Sequence, residues 1–498
     1  MKKLSPEQTV ATCVALGKLR SGQRREWTVI CDAIKGNCEC KSHRISASQI
    51  AVCLFWIAKS GNSLCVKDRL IEVAFKNLLQ VSNDWTPLDM GWLLYFMRKK
   101  GERNELPIWK RMLSQIAYRF NERLPQMTPR NIACLLSEFG HMQILPGKTI
   151  HRALNLLDTQ KDKIDAKTAV LLMGALADMR VFRSDIIHSL ASKFVDSGLV
   201  RNRMDMKQVA SILYSYSKLD YAHKPLIHCC LARIRNSSTE QLSDVDLALL
   251  AYALGRLGIA SCEIEWRIIS EQLAERLDDI SQLNLSVIVS GICKAGFKPE
   301  DDLLLKVARM VRKDASGFTE RQLVNLVAAL AIRGVDVGRI KVLTKISHNS
   351  LNRFQLNMLN PSKERVVMDM KIKTGVHFRL EDTLKLRGVV DINICPQIGA
   401  LWADATFKHQ VTDYAVLILR DGDVCKLNPS RLLGPTSWKV RHMTALGYKV
   451  ITVSISDLRN LSNIPQLCFL GEEASVSAPR RPRKPFHYEM DTQKVSLR

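Results

Sequence analysis

The chain has 498 residues, 46% of them hydrophobic, and its 73 Lys and Arg outnumber 49 Asp and Glu to give a net charge of +24. That length exceeds one ordinary core and that apolar fraction excludes a disordered polymer, so several domains or a repeat array are expected. The charge points to a polyanionic partner, nucleic acid before a membrane surface, and no apolar run approaches the roughly 18 residues of a membrane span.

From the N-terminus the chain repeats itself. Gly17, Ala58, Arg98, Gly140, Ala177, Ser217, Gly255, Cys293 and Ala331 recur at spacings of 37 to 42 residues, each preceded by a large apolar residue. Twelve residues before each stands a helix-capping residue: Ser5, Ser46, Thr86, Thr128, Asp165, Asp205, Ser243, Ser281 and Thr319. Such side chains accept hydrogen bonds from the first-turn N–H groups that a helix leaves without partners. An apolar residue precedes each cap, as in the staple that fixes how the chain enters a helix. Within each first helix the apolar positions lie eight, five, four and one residues before the small anchor, which is helical spacing. A second amphipathic segment follows in each copy, such as 264–277 (IEWRIISEQLAERL) or 303–311 (LLLKVARMV). The expected architecture is mostly α, an α-solenoid of about nine helix–turn–helix units of roughly 38 residues, filling 1–350.

Three columns outside the apolar face are candidates for function. Directly after the anchors stand Lys18, Lys59, Lys99, Lys218, Arg256 and Lys294, with His141, Asp178 and Ile332 as the exceptions. Cations near a helix C-terminus complement the macrodipole, and the same row can also track a phosphate backbone at one stop per unit. The third helical residue is polar throughout, and Gln49, Asn131, Gln208, Asn284 and Gln322 are possible base-reading side chains. Capping is the competing explanation for that column. A third column is partly aromatic (Phe55, Tyr95, Tyr214, Tyr252), from packing between units or from base stacking.

Most of the fourteen Cys lie in apolar helical stretches (Cys13, Cys53, Cys134, Cys293), the placement of reduced core thiols, which argues for a reducing compartment. Cys31, Cys38, Cys40 and His43 are zinc-like in content but lack the paired knuckle spacing, so reduced cysteines near an inter-unit loop are expected, with no metal or other cofactor.

Residues 351–387 lose the periodicity and read as a basic connector. After it the pattern turns to strands at 389–394, 414–419 and 424–427, with a tight turn at Asp421–Asp423. Thr436 is placed to cap a short helix, Gly447 to end it, and 448–455 alternates as a strand. A small α/β domain over 388–462 is expected, followed by a basic tail over 463–498 that includes PRRPRKP.

The stretch LGPTSWKVRHM at 433–443, followed by ALGYKV at 445–450, resembles the signature of the RAP domain, and Val390-Asp391-Ile392 fits that family's first acidic strand. The resemblance covers about residues 379–460. It implies an organellar RNA-binding protein, in the mitochondrion or alternatively the plastid, acting on RNA processing, stability or ribosomal RNA assembly. Lys439, Arg441 and His442 are then expected to contact phosphate. Members of the family often carry Glu-x-Asp-Gly on a following strand, in a nuclease-like layout. Here that stretch is Trp402-Ala403-Asp404-Ala405. Trp402 can neither hold a metal nor activate water, so no enzymatic activity is expected, and Asp391 and Asp404 are assigned to capping and strand-end hydrogen bonds.

The reading from sequence is therefore an architectural or assembly factor for organellar ribosomal RNA, with ribosomal or other ribonucleoprotein subunits as partners and no membrane insertion. A protein-binding solenoid scaffold and an RNA-processing nuclease are the alternatives. The cap at Ser5 leaves no room for a cleavable Arg-rich presequence, so either a removed segment precedes this start or targeting is unconventional.

Overall fold

The computed structural model describes residues 4–330, 335 and 375–458. Excepted are 20–22, 41–44, 81–84, 101–106, 143, 145–146, 199, 201–203, 238–241, 260, 298, 300–301, 316, 320–321, 324, 327–328, 386–388, 399–400, 410 and 456–457. Most of the described chain is helical, with a small four-stranded sheet near the C-terminus. The chain forms two compact units, Met1–Leu219 with His223–Glu240, and Asp220–Ala222 with Gln241–Arg498.

The first unit holds α1 (Pro6–Lys18), α2 (Arg24–Glu39), α3 (Ala47–Lys59), α4 (Asp68–Gln80), α5 (Pro87–Lys100), α6 (Pro107–Arg123), α7 (Pro129–His141), α8 (Gly147–Thr159), α9 (Ala166–Met179), α10 (Ser184–Asp196), α11 (Met206–Lys218) and α12 (Lys224–Asn236). The odd-numbered helices pack in succession from α1 to α11. The even-numbered helices do the same from α2 to α8, and α10 packs on α12. All nine expected caps accept the N–H of the third residue onward, at 2.7–3.4 Å. The apolar residue before the cap is buried from Ile45 and Trp85 through to Ile280 and Phe318, which fastens each helix start to the core.

Between the helices lie fully buried large side chains, among them Trp27, Phe75, Trp109, Phe120 and Phe194. Each contributes about 1.5–3 kcal/mol by leaving water. The small anchors let neighbouring first helices approach: a Cβ on Gly17 would overlap the Trp56 ring, and one on Gly140 would lie 3.2 Å from the Ala175 carbonyl oxygen. Cys13, Cys53 and Cys293 are buried as expected, and the thirteen described cysteines are free. Cys134 departs from the expectation. It is exposed, because it lies six residues before its anchor and so off the buried face.

The second unit holds α13 (Asp244–Arg256), α14 (Glu263–Glu275), α15 (Gln282–Ala295), α16 (Asp302–Lys313), α17 (Gly375–Lys385) and α18 (Gly434–Ala445). Its strands are β1 (Asn393–Ile394), β2 (Gln397–Ile398), β3 (Leu401–Trp402), β4 (Ala405–His409), β5 (Thr412–Leu419) and β6 (Lys449–Ser454). The sheet order is β1-β4-β5-β6, antiparallel except for the parallel pair β5 and β6, which α18 connects. β2 and β3 form a separate hairpin. The apolar run on β5 is buried on both faces. Tyr414, Val416 and Ile418 pack with Leu380 and Leu384 of α17, whereas Ala415 and Leu417 pack with Met443 of α18.

Several local expectations need correction. The end of the expected connector is the helix α17, with His377, Leu380, Thr383 and Leu384 buried. The remainder of the connector, 351–374, and the tail 463–498 lie outside the described residues. The expected strand at 389–394 shrinks to Asn393–Ile394, because Asp391 takes a left-handed φ of 58° and breaks the extended run. The expected strand at 424–427 is a single bridge from Val424 to Leu432. Its next two N–H groups go elsewhere, Cys425 to the Arg431 carbonyl and Lys426 to the Asp220 carbonyl, both at 2.9 Å. Leu433 rather than Thr436 is the cap of α18, and the Thr436 hydroxyl donates to Asp423 at 2.6 Å from within the first turn. Gly447 does end the helix, with φ 91°.

Candidate nucleic-acid interface

On each first helix, the positions ten, six and three residues before the anchor and one after it fall on one line, since steps of four, three and four return to one helical face. On α5 that line is Leu88, Trp92, Tyr95 and Lys99, none of them buried, while Leu93, Leu94, Phe96 and Met97 face the core. The aromatic and cationic columns are thus four residues apart and meet. The Lys59 ammonium lies 5.3 Å from the Phe55 ring centroid and 4.6 Å from that of Trp56. Lys99 lies 5.9 Å from Tyr95, and Lys218 5.4 Å from Tyr214. These are cation–π distances.

The acidic exception in the cation column has a structural reason. Asp178 accepts from His141 at 2.8 Å and from Lys218 at 2.6 Å, linking α7, α9 and α11 across three consecutive first helices. Burial pushes the Asp178 carboxyl up, but the hydrogen bonds from His141 and Lys218 outweigh it and hold it below the usual carboxylate range. Arg98, the one large anchor among the nine, pairs with Glu138 at 2.8 Å and lies over Tyr95. Lys18, Lys59 and Lys99 are exposed.

The third-residue column serves the helix ends. The side-chain oxygens of Gln8, Gln49, Gln208 and Gln322 accept the N–H of their own cap residue at 2.8–3.2 Å. Asn131 and Asn284 donate their backbone N–H to Thr128 and Ser281. Capping thus occupies the four glutamine side chains, whereas at Asn131 and Asn284 it uses only the backbone N–H that any residue but proline supplies.

In the second unit α18 of the α/β domain packs against the helices that carry the cation column. Arg256 donates twice to Asp220, at 2.8 and 3.0 Å, and once to the Gly422 carbonyl at 3.2 Å. Burial pushes the Lys294 ammonium below its ordinary value, and the positive Arg256 adds to the shift. The Lys294 carbonyl accepts from Arg441 at 2.8 Å, and the Arg441 guanidinium lies beside Gly296. Arg431 donates to the Leu257 carbonyl at 3.1 Å. α18 packs on α13 and α15, with Gly434 against the backbone of Gly255 and Gly258. His442 is half-buried, and burial pushes its imidazole below the ordinary histidine value. Lys439 is half-buried as well. The signature stretch thus makes extensive contacts with the helices beneath it. Sequence reasoning did not anticipate them, since their partners lie more than a hundred residues away.

Both carboxylate oxygens of Asp404 accept, one from His377 at 3.0 Å and the other from the Ile418 N–H at 2.7 Å. Among the described residues, no group of three His, Cys, Asp or Glu is placed to hold a metal ion. Cys31 and Cys38 are buried on α2, and burial pushes the Cys31 thiol up to about 12, while His43 lies outside the described residues. No helix among the described residues is long and apolar enough to cross a membrane.

Compared with known proteins, the chain matches no family model and no curated sequence.

Proposed function

We propose that this chain is an RNA-binding α-solenoid with a C-terminal RAP-like domain. It acts as an architectural or assembly factor for organellar ribosomal RNA, in the mitochondrion before the plastid, with ribonucleoprotein subunits as its protein partners. The observation that carries this reading is the line of cation–aromatic pairs on the first helices: Lys59 with Phe55 and Trp56, Lys99 with Tyr95, Lys218 with Tyr214. Cations at a regular step suit a phosphate backbone, and aromatic faces beside them suit bases. The net charge of +24 supplies the long-range attraction. The organellar assignment rests on the resemblance of 433–450 to the RAP signature.

The test is RNA binding as a function of salt, for the unaltered chain and for a Lys18→Glu, Lys59→Glu, Lys99→Glu variant. These three lysines are exposed, so their reversal spares the fold. Affinity should fall, and the dependence of log affinity on log salt should become shallower by about two to three units. Unchanged affinity and slope would overturn the reading in favour of a protein-binding scaffold. A tagged full-length chain found diffuse in the cytosol would overturn the location.

A further inference from the structure

Four aromatic side chains of α3 and α5 meet at one place on the first unit. Phe55 lies 5.5 Å from Trp56, 5.7 Å from Trp92 and 5.1 Å from Tyr95, centroid to centroid. Most large aromatic side chains in this unit are fully buried, including Trp27, Phe75, Trp85, Phe96, Trp109, Phe120 and Phe139. These four are only half-buried. The contrast is sharpest on α5, where Phe96 is sealed in the core and its neighbour Tyr95 is not. A side chain that served packing alone would be expected to turn inward and contribute its whole area. Lys59 and Lys99 border the rings, with ammonium groups 4.6–5.9 Å from ring centroids.

We infer that the Phe55, Trp56, Trp92 and Tyr95 cluster is a stacking platform for unpaired bases of single-stranded RNA, with Lys59 and Lys99 receiving the flanking phosphates. The inference deepens the proposed function and rests on it. Half-exposed rings edged by cations complement a polyanion that carries flat apolar faces. An RNA duplex offers no such faces, because its bases are stacked on one another and its readable groups are phosphates and 2′-hydroxyls. An acidic protein partner would satisfy the lysines and leave the breadth of the ring surface without a matching group.

The experiment uses the full chain with a short A/U-rich single-stranded RNA and with the same strand annealed to its complement. Trp56 and Trp92 are half-buried, whereas Trp27, Trp85, Trp109 and Trp266 are buried. Stacking on the platform should therefore quench part of the tryptophan emission with the single strand and not with the duplex. A Phe55→Leu, Trp92→Leu variant keeps both lysines. It should lose about tenfold or more in single-strand affinity, lose most of the quench, and keep the salt slope. If the single strand binds with unchanged affinity and quench in that variant, the platform is overturned while RNA binding stands. If single strand and duplex bind the unaltered chain equally and neither quenches, the platform is likewise overturned. If neither RNA binds, the proposed function falls and the inference with it. The quench is read first on the unaltered chain, so a variant that fails to fold does not remove the test.

Discussion

The α-carbon of Gly434 rests against the carbonyl oxygen of Gly255, at a crossing where neither residue has room for a side chain. A Cβ on Gly434 would overlap that oxygen, and one on Gly255 would lie 2.6 Å from the Gly291 carbonyl oxygen. Three elements of the second unit, α13, α15 and α18, are thereby brought together backbone to backbone. Gly434→Ala should force α18 away and cost about 1–3 kcal/mol, the range for overpacking a close contact. Thermal denaturation and limited proteolysis between residues 420 and 434 check this. An unchanged melting temperature with unchanged cleavage would mean that the crossing is loose in solution.

Two cations of one sequence column should behave differently. Arg256 is held by Asp220 and the Gly422 carbonyl, so Arg256→Glu removes charge-assisted hydrogen bonds and sets two carboxylates together. A loss of about 1–3 kcal/mol in a denaturant titration is expected. Lys59→Glu, on an exposed side chain over aromatic rings, should change stability by less than about 1 kcal/mol and act on RNA affinity instead.

The Asp178 linkage gives a pH dependence with a definite sign. The folded carboxyl lies below its ordinary value, so its contribution is present above the unfolded value of about 4 and is lost as pH falls through the lower folded value. Asp178→Asn should therefore destabilise the first unit at neutral pH and leave stability flatter on the acid side. Denaturant titrations of both proteins at pH 7 and pH 3 read this directly. Parallel acid profiles would show that His141 and Lys218 contribute nothing through this carboxylate.

Capping makes the third-residue column testable apart from any role with bases. Asp205→Ala deletes the side chain that accepts the Gln208 N–H at 2.7 Å and should cost about 1 kcal/mol. Gln208→Ala removes only the reciprocal bond to the Asp205 N–H and should cost less. If Gln208→Ala instead alters which RNA sequences bind while stability holds, the amide reads a base.

The amino-acid sequence by itself determined where helices begin and which residues they bury. The caps from Ser5 to Thr319 and the buried positions such as Ile132, Leu247 and Leu285 obey rules that act within one or two helical turns. It also located the candidate cations and aromatics, since Lys59 and Phe55 share a helix face through a spacing of four. Short elements were harder. The eleven residues of α17 give little periodicity, and Asp391 breaks the expected 389–394 strand by adopting a left-handed φ. Only the tertiary structure decided what the columns touch. Asp178 belongs between His141 and Lys218, Arg256 to Asp220, and Arg441 to the Lys294 carbonyl. Those partners lie from 36 to 147 residues apart, and a hydrogen bond depends on distances that packing sets and local spacing does not encode.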